Sequence, residues 1–177
     1  MQYPDFSSFK TKHVVKDYTV SQEEFELRHW QEFDMLVTYP QPSDDVLGAY
    51  YESDEYISHT DSKSSFVDKA YQLVKQYMLR KKLRLLEKLQ PQKGELLDIG
   101  AGTGDFLKAA QKDGWNISGI EPNEKAKSLA QQKGVNILSD LKTLPKGHFD
   151  VITMWHVLEH DPNLLEHINL LKSLLKE

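Results

Sequence analysis

Three glycines at alternate positions, Gly100, Gly102 and Gly104, follow the short apolar run Leu96-Leu97-Asp98-Ile99 and precede Asp105-Phe106-Leu107. Read as a strand, a tight turn and a helix start, this stretch lets the backbone bend sharply. It also lets a flat ligand lie against the turn with no Cβ atoms in the way. The helix that follows points its free N–H groups and positive dipole end at that ligand, which suits a carboxylate or a phosphate. The chemistry is that of a nucleotide cradle. Spacing narrows the choice of nucleotide. The dinucleotide fingerprint is G-x-G-x-x-G, whereas Asp105 and Phe106 stand where its third glycine would fall, and the chain reads G-x-G-x-G with Asp98 two residues ahead. Further on, Glu121 ends the run Gly119-Ile120-Glu121 before Pro122-Asn123. An ionised carboxylate there only accepts hydrogen bonds, and its two oxygens match a vicinal diol.

The run Asp98-Ile99-Gly100-Ala101-Gly102-Thr103-Gly104 resembles the first motif of class I S-adenosylmethionine-dependent methyltransferases. The resemblance implies S-adenosylmethionine as cofactor. Gly100, Ala101, Gly102, Thr103 and Gly104 would wrap its methionine end, Asp98 would help fix the methionine amino group, and Glu121, with Pro122 behind it, would hold the ribose. In the family the turn after the third strand meets the adenine. Asp140 would accept from the exocyclic amine, and the Leu141 N–H would donate to a ring nitrogen. Asp in a polar turn needs no ligand to explain it, and the loop and Glu121 supply the reason for assigning one.

A second constellation is Trp155-His156-Val157-Leu158-Glu159-His160. As H-x-x-E-H it matches a zinc-peptidase pattern that requires a helix. Here a β-rich run leads in, and Asp161-Pro162 reads as an N-cap and first helical residue, so His156 to His160 precede the helix. The same residues resemble the E-x-x-E-H metal site of small-RNA 2′-O-methyltransferases and ubiquinone-pathway O-methyltransferases, with His156 in place of the first Glu. That replacement suits Zn, Mn or Fe and is poor for Mg, and no metal site is assigned. The family default remains. Trp155 and His156 would lie beside the cofactor at the strand end, and Glu159 and His160 would tie the loop to the fold or face the acceptor. His156 is then the candidate general base, because an imidazole near neutral pH can take a proton from an acceptor hydroxyl or amine.

These groups need elements to hold them. From Glu95 onward the pattern gives strands near 95 to 99, 116 to 120, 135 to 138 and 149 to 155, with helices near 104 to 112, 123 to 133 and 162 to 176. Such alternation implies an α/β fold with parallel strands joined by right-handed crossovers and ligands at their carboxyl ends. The resemblance makes this a Rossmann-like sheet of strand order 3-2-1-4. Class I methyltransferases carry seven strands, so the C-terminal strands are read as missing and the chain as truncated. The open edge of the fourth strand predicts self-association. Ahead of the sheet, Ser64 to Leu89 reads as one long helix. Phe66, Ala70, Leu73 and Tyr77 keep its apolar period, and Lys75, Arg80, Lys81, Lys82, Arg84 and Lys88 load a solvated face. Residues 1 to 63 read as a mostly helical or irregular extension or lid, and 64 to 177 as the cofactor-binding core. Ser21-Gln22-Glu23-Glu24 has the form of a capping box and predicts a helix over Gln22 to Met35. Tyr51, Tyr56 and His59 are candidates for an acceptor pocket, each offering an apolar wall with a polar tip.

The 177 residues allow one sizeable core with an extension. Cysteine is absent, which excludes disulfides and thiolate chemistry. No apolar run reaches the length of a membrane span, and no signal peptide is evident, so a cytoplasmic protein is expected. The net charge of −5 is divided as −9 over residues 1 to 62, +6 over 63 to 95 and −2 over 96 to 177. An acidic whole argues against nucleic-acid substrates. The expectation is therefore a methyltransferase that passes a methyl group to an O, N or C nucleophile of a small molecule. A non-catalytic cofactor- or partner-binding fragment is the alternative, and an NAD-type oxidoreductase is disfavoured by the glycine spacing.

Overall fold

The computed structural model describes residues 4–18, 20–43, 66–161 and 163–177, without the side chains of residues 66–70. The chain divides into two compact units, Met1–His59 and Thr60–Glu177.

In the first unit, strands β1 (Lys10–Lys16), β2 (Glu24–Trp30) and β3 (Met35–Tyr39) form an antiparallel sheet in the order β1-β2-β3. The helix expected over Gln22 to Met35 is thus replaced by two strands and their turns. The capping-box residues close a hairpin instead. The Asp17 carboxylate accepts from the Ser21 N–H at 2.7 Å, the Ser21 hydroxyl accepts from the Glu23 N–H at 3.2 Å, and Gln22 takes a left-handed φ of 62°. Ser and Asp satisfy turn amides as readily as helix starts, and cross-strand pairing decided between them. Trp30 and Val37 are buried on one face of the sheet, and the Phe6 ring meets Trp30 edge-on at 5.3 Å. On the same face the Arg28 guanidinium lies 3.6 Å from the centroid of the Tyr39 ring and donates to the carbonyls of Phe6 and Ser7.

The second unit is an α/β domain. Helix α1 (Phe66–Leu89) leads into β4 (Glu95–Ile99), followed by α2 (Asp105–Lys112), β5 (Asn116–Ile120), α3 (Glu124–Gln132), β6 (Ile137–Leu138), β7 (Val151–Met154) and α4 (Leu164–Leu174). The four strands are parallel in the order β6-β5-β4-β7, which is the expected 3-2-1-4 arrangement. Central β4 is buried on both faces, as its apolar sequence requires. Leu96 belongs to a cluster with Leu86, Phe106, Leu107 and Trp115. Leu97 and Ile99 belong to one with Phe149 and Leu174. The two-residue period of a strand then puts Asp98 on the Leu96 face, beneath α1 and α2.

Helix α1 departs from its expected amphipathic pattern. Leu73 and Tyr77 are exposed, whereas Lys75 and Lys82 are half-buried on the inner face with Leu79, Leu83 and Leu86. A lysine stem of four methylenes can cover apolar surface while its ammonium seeks a polar neighbour, so sequence polarity alone misplaced both residues. The Lys75 ammonium lies 2.5 Å from Asp105, which the Lys133 ammonium also meets at 2.8 Å. One carboxylate at the start of α2 therefore ties together α1, α2 and the end of α3. No helix among the described residues is long and apolar enough to cross a membrane.

Candidate functional site

The site forms where β4, β5 and β7 end. The N–H groups of Gly100 and Ala101 both donate to the Ile120 carbonyl, at 2.9 and 3.0 Å, which folds the glycine loop back over the end of β5. Gly100, Gly102 and Gly104 have φ values of 69°, 54° and 76°, in the left-handed region that favours glycine. Among the described residues a Cβ at Gly102 would meet nothing within 4 Å, so the loop offers them an open face. At Gly104 a Cβ would stand 2.9 Å from both the Ala130 Cβ and the Val135 Cγ2. That glycine serves the close packing of α2 against α3.

Glu121 is 8% exposed, and its carboxylate points into the loop. Its Oε2 accepts from the Gly102 N–H at 2.7 Å and its Oε1 from the Asn123 N–H at 2.8 Å. Each oxygen keeps a second lone pair for a ligand hydroxyl. Pro122 is exposed beside it, and Asn123 caps α3 by accepting from the Lys125 and Ala126 N–H groups.

Asp98 is 3% exposed between Gly119 and Thr153, its neighbours in register on β5 and β7. The Thr153 hydroxyl donates to Asp98 Oδ1 at 2.6 Å. Burial pushes the Asp98 carboxyl up to about 7, against the Thr153 hydroxyl and the Lys82 ammonium, which pull it down. Lys82 itself is lowered by burial and raised in part by Asp98. Its ammonium lies 4.3 Å from the Trp155 ring centroid and 5.7 Å from that of Phe106, two rings that meet edge-on at 5.5 Å. Neither Lys82 nor Thr153 was singled out from the sequence. The available signal for Lys82 was its place in the helical series Leu79, Leu83 and Leu86.

The other expected residues fall nearby or elsewhere. Thr103 donates its hydroxyl to Asp105 Oδ2 at 3.1 Å. Asp140 is exposed, with its carboxylate accepting from the Lys142 N–H at 2.9 Å at the head of the 3-10 turn Leu141–Thr143. His156 follows β7 with a left-handed φ of 58°, and its side chain is 89% exposed, with Nδ1 3.5 Å from Glu159 Oε1. Glu159 and His160 lie in the 3-10 turn Leu158–His160, and α4 begins only at Leu164. His156 to His160 therefore precede the helix, as expected, but its N-cap is Asn163 rather than Asp161. Among the described residues no three His, Asp or Glu side chains gather as a metal site. The acceptor-pocket expectation at Tyr51, Tyr56 and His59 lies outside the described residues.

Comparison with known proteins places this arrangement. The family described as "Methyltransferase domain" matches residues 69–177. A ubiquinone biosynthesis O-methyltransferase of Actinobacillus pleuropneumoniae is 33% identical over 96 residues, which cover 46% of this chain and 41% of that protein. One of Coxiella burnetii is 32% identical over 105 residues, covering 54% and 45%. The chain thus spans under half the length of these curated relatives. Among solved structures, the magnesium protoporphyrin IX methyltransferase of Synechocystis PCC 6803 aligns with a TM-score of 0.57 at 22% identity, over 78% of this chain and 74% of that one, and shares the fold.

Proposed function

The chain belongs to the methyltransferase-domain family, and from that premise we propose that it binds S-adenosylmethionine and directs methyl transfer to a nucleophile of a small-molecule acceptor. The observation that carries the reading is Glu121. A nearly buried carboxylate is held by two main-chain N–H groups at the mouth of a glycine loop, with lone pairs left to accept from the hydroxyls of a ribose. The open face at Gly102 fits a ligand lying flat against the loop. Residues Gly100 to Gly104 would hold the methionine end, with Asp98 beneath its amino group and Trp155 beside it. Asp140 and Leu141 would take the adenine. When bound, the cofactor supplies an electrophilic methyl group on a sulfonium centre.

The chain's own part is to orient the reactants and to manage a proton. His156, exposed at the end of β7 with Glu159 3.5 Å away, is the group we assign to take the proton from the acceptor. The curated relatives are O-methyltransferases, which supports an oxygen nucleophile. Glu159 and His160 would face that acceptor. Residues 1–63 are assigned as a separate extension, residues 64–177 as the cofactor domain and the cytoplasm as the location. The outer edge of β7 is proposed as a weak self-association surface.

Calorimetry with S-adenosylhomocysteine and with NADH tests the reading. Micromolar binding of the first and none of the second is expected. Binding of NADH alone, or of neither, would overturn it.

A further inference from the structure

Helix α1 presents apolar and basic side chains together on its exposed side. At about 3.6 residues per turn, Leu79, Leu83 and Leu86 set its inner side, packed in the cluster that holds Leu96 and Trp115. Val74, Tyr77, Lys81, Arg84 and Lys88 stand on the opposite side, with Leu73 and Arg80 next to them. Leu73, Val74 and Tyr77 are 69%, 60% and 62% exposed, and Met78, Leu85 and Leu89 extend the exposed apolar surface along one flank. From Tyr71 to Leu89 the helix runs about 27 Å. Apolar side chains exposed singly need no explanation, whereas a contiguous set marks an interaction surface. The charge of this stretch is one-sided as well. Arg80, Lys81, Arg84 and Lys88 are all exposed and make no ion pair among the described residues, and Glu87 is the one acid from Tyr71 to Leu89.

We propose that this face of α1 docks on an anionic lipid bilayer. Basic and apolar groups interleaved along one convex helix call for a partner with negative charge at its surface and hydrocarbon just beneath. Phospholipid headgroups over acyl chains offer both. The heads of Arg80, Lys81, Arg84 and Lys88 reach the phosphates on flexible methylene stems, while Leu73, Val74 and Tyr77 enter the boundary below them. A second copy of this chain fits the face poorly. An interface built from the same face twice would set the four cations against each other or against bare apolar side chains, and both arrangements are penalised. The docking is peripheral, because no helix among the described residues is long and apolar enough to cross a membrane.

The test is cosedimentation of the full chain with vesicles of phosphatidylcholine alone and of phosphatidylcholine with about a third phosphatidylserine. Three proteins are compared: wild type, a charge variant carrying Arg80→Gln, Lys81→Gln, Arg84→Gln and Lys88→Gln, and an apolar variant carrying Leu73→Gln, Val74→Gln and Tyr77→Gln. All seven positions are exposed, so thermal unfolding should stay close to that of the wild type. Wild type is expected to bind the anionic vesicles and to leave the neutral ones. Each cation near such a surface is worth about fivefold, so the charge variant should bind at least about 100-fold more weakly, and added salt should weaken the wild type in the same direction. The apolar variant should bind at least about tenfold more weakly at every salt concentration. Equal binding of wild type to both vesicles overturns the inference, as does binding to neither, or wild-type binding by both variants. A rise in mass with protein concentration that the apolar variant abolishes would give the face to a second copy and overturn it too. If a variant does not fold, amine labelling of the wild type decides. Anionic vesicles should shield Lys81 and Lys88 and leave Lys112 and Lys125 reactive, and uniform labelling refutes the assignment. S-adenosylhomocysteine should bind all three proteins alike, so failure at the vesicle leaves the cofactor reading standing.

Discussion

Asp98 is the residue whose environment makes the sharpest demand. Its carboxyl is buried and raised from 3.8 to about 7, with burial as the leading cause. The folded state therefore holds a proton more tightly than the unfolded chain, and the sign follows. The stabilisation is fully present below the unfolded value near 4 and is lost as pH rises through 7, a change on the order of 4 kcal/mol. Denaturant midpoints measured from pH 5 to 8 should fall with pH in the wild type and much less in Asp98→Asn, and parallel slopes would refute this. Glu121 makes a different demand, because both its oxygens already hold loop amides. Glu121→Ala leaves the Gly102 and Asn123 N–H groups without their acceptor, which is expected to cost about 1–3 kcal/mol in stability. It should also weaken S-adenosylhomocysteine binding in calorimetry by at least tenfold. Both acids were legible in the sequence, Asp98 as the acid two residues ahead of the glycine loop and Glu121 as the end of a run before a turn. Lys82 and Thr153 were not. A lysine is scored as polar wherever its stem lies, and a threonine in a strand has no pattern that marks its partner.

At the scale of elements, the glycine loop separates fold from ligand. Gly104→Ala would press a Cβ against Ala130 and Val135 at 2.9 Å and strain a φ of 76°, so a loss of about 1–3 kcal/mol in stability is expected in thermal or denaturant unfolding. Gly102→Ala meets open space among the described residues and bears the cost of its left-handed φ, about 1 kcal/mol. Its methyl group would occupy the face we assign to the cofactor, so binding should suffer far more than stability. A Gly102→Ala protein that keeps wild-type affinity would count against the cradle. The strands and helices from β4 to α4 were readable because a buried parallel sheet writes itself as short apolar runs between glycine-ended helices, and the boundaries fell within a few residues. The hairpin of β1 and β2 was not, because β2 alternates Phe25 and Leu27 with Glu24, Glu26 and Arg28 in a run that also begins with a capping-box sequence. Pairing with strands on both sides outweighed the local helix-start signal.

For the molecule as a whole, the four-stranded sheet has two edges of unequal character. β6 is two residues long and gives little to pair with. Just ahead of β7, Phe149 already uses its outward groups: its N–H donates to the Leu174 carbonyl at 3.0 Å and its carbonyl accepts from the Lys176 N–H at 2.9 Å. Main-chain groups of alternate residues in a strand face the same side. Val151 and Thr153 therefore continue the outward row begun at Phe149, while Ile152 and Met154 turn their N–H and C=O groups toward β4. The segment Val151 to Met154 contains no charge and no proline, the two devices that usually blunt an edge. A row this short supports only weak pairing between copies. The average mass by light scattering should rise between low and high micromolar protein, and amide exchange should slow with concentration at Val151 and Thr153 but not at Ile152 and Met154. A constant mass, or protection at Val151 and Thr153 that ignores concentration, would show that this edge is closed to a second chain.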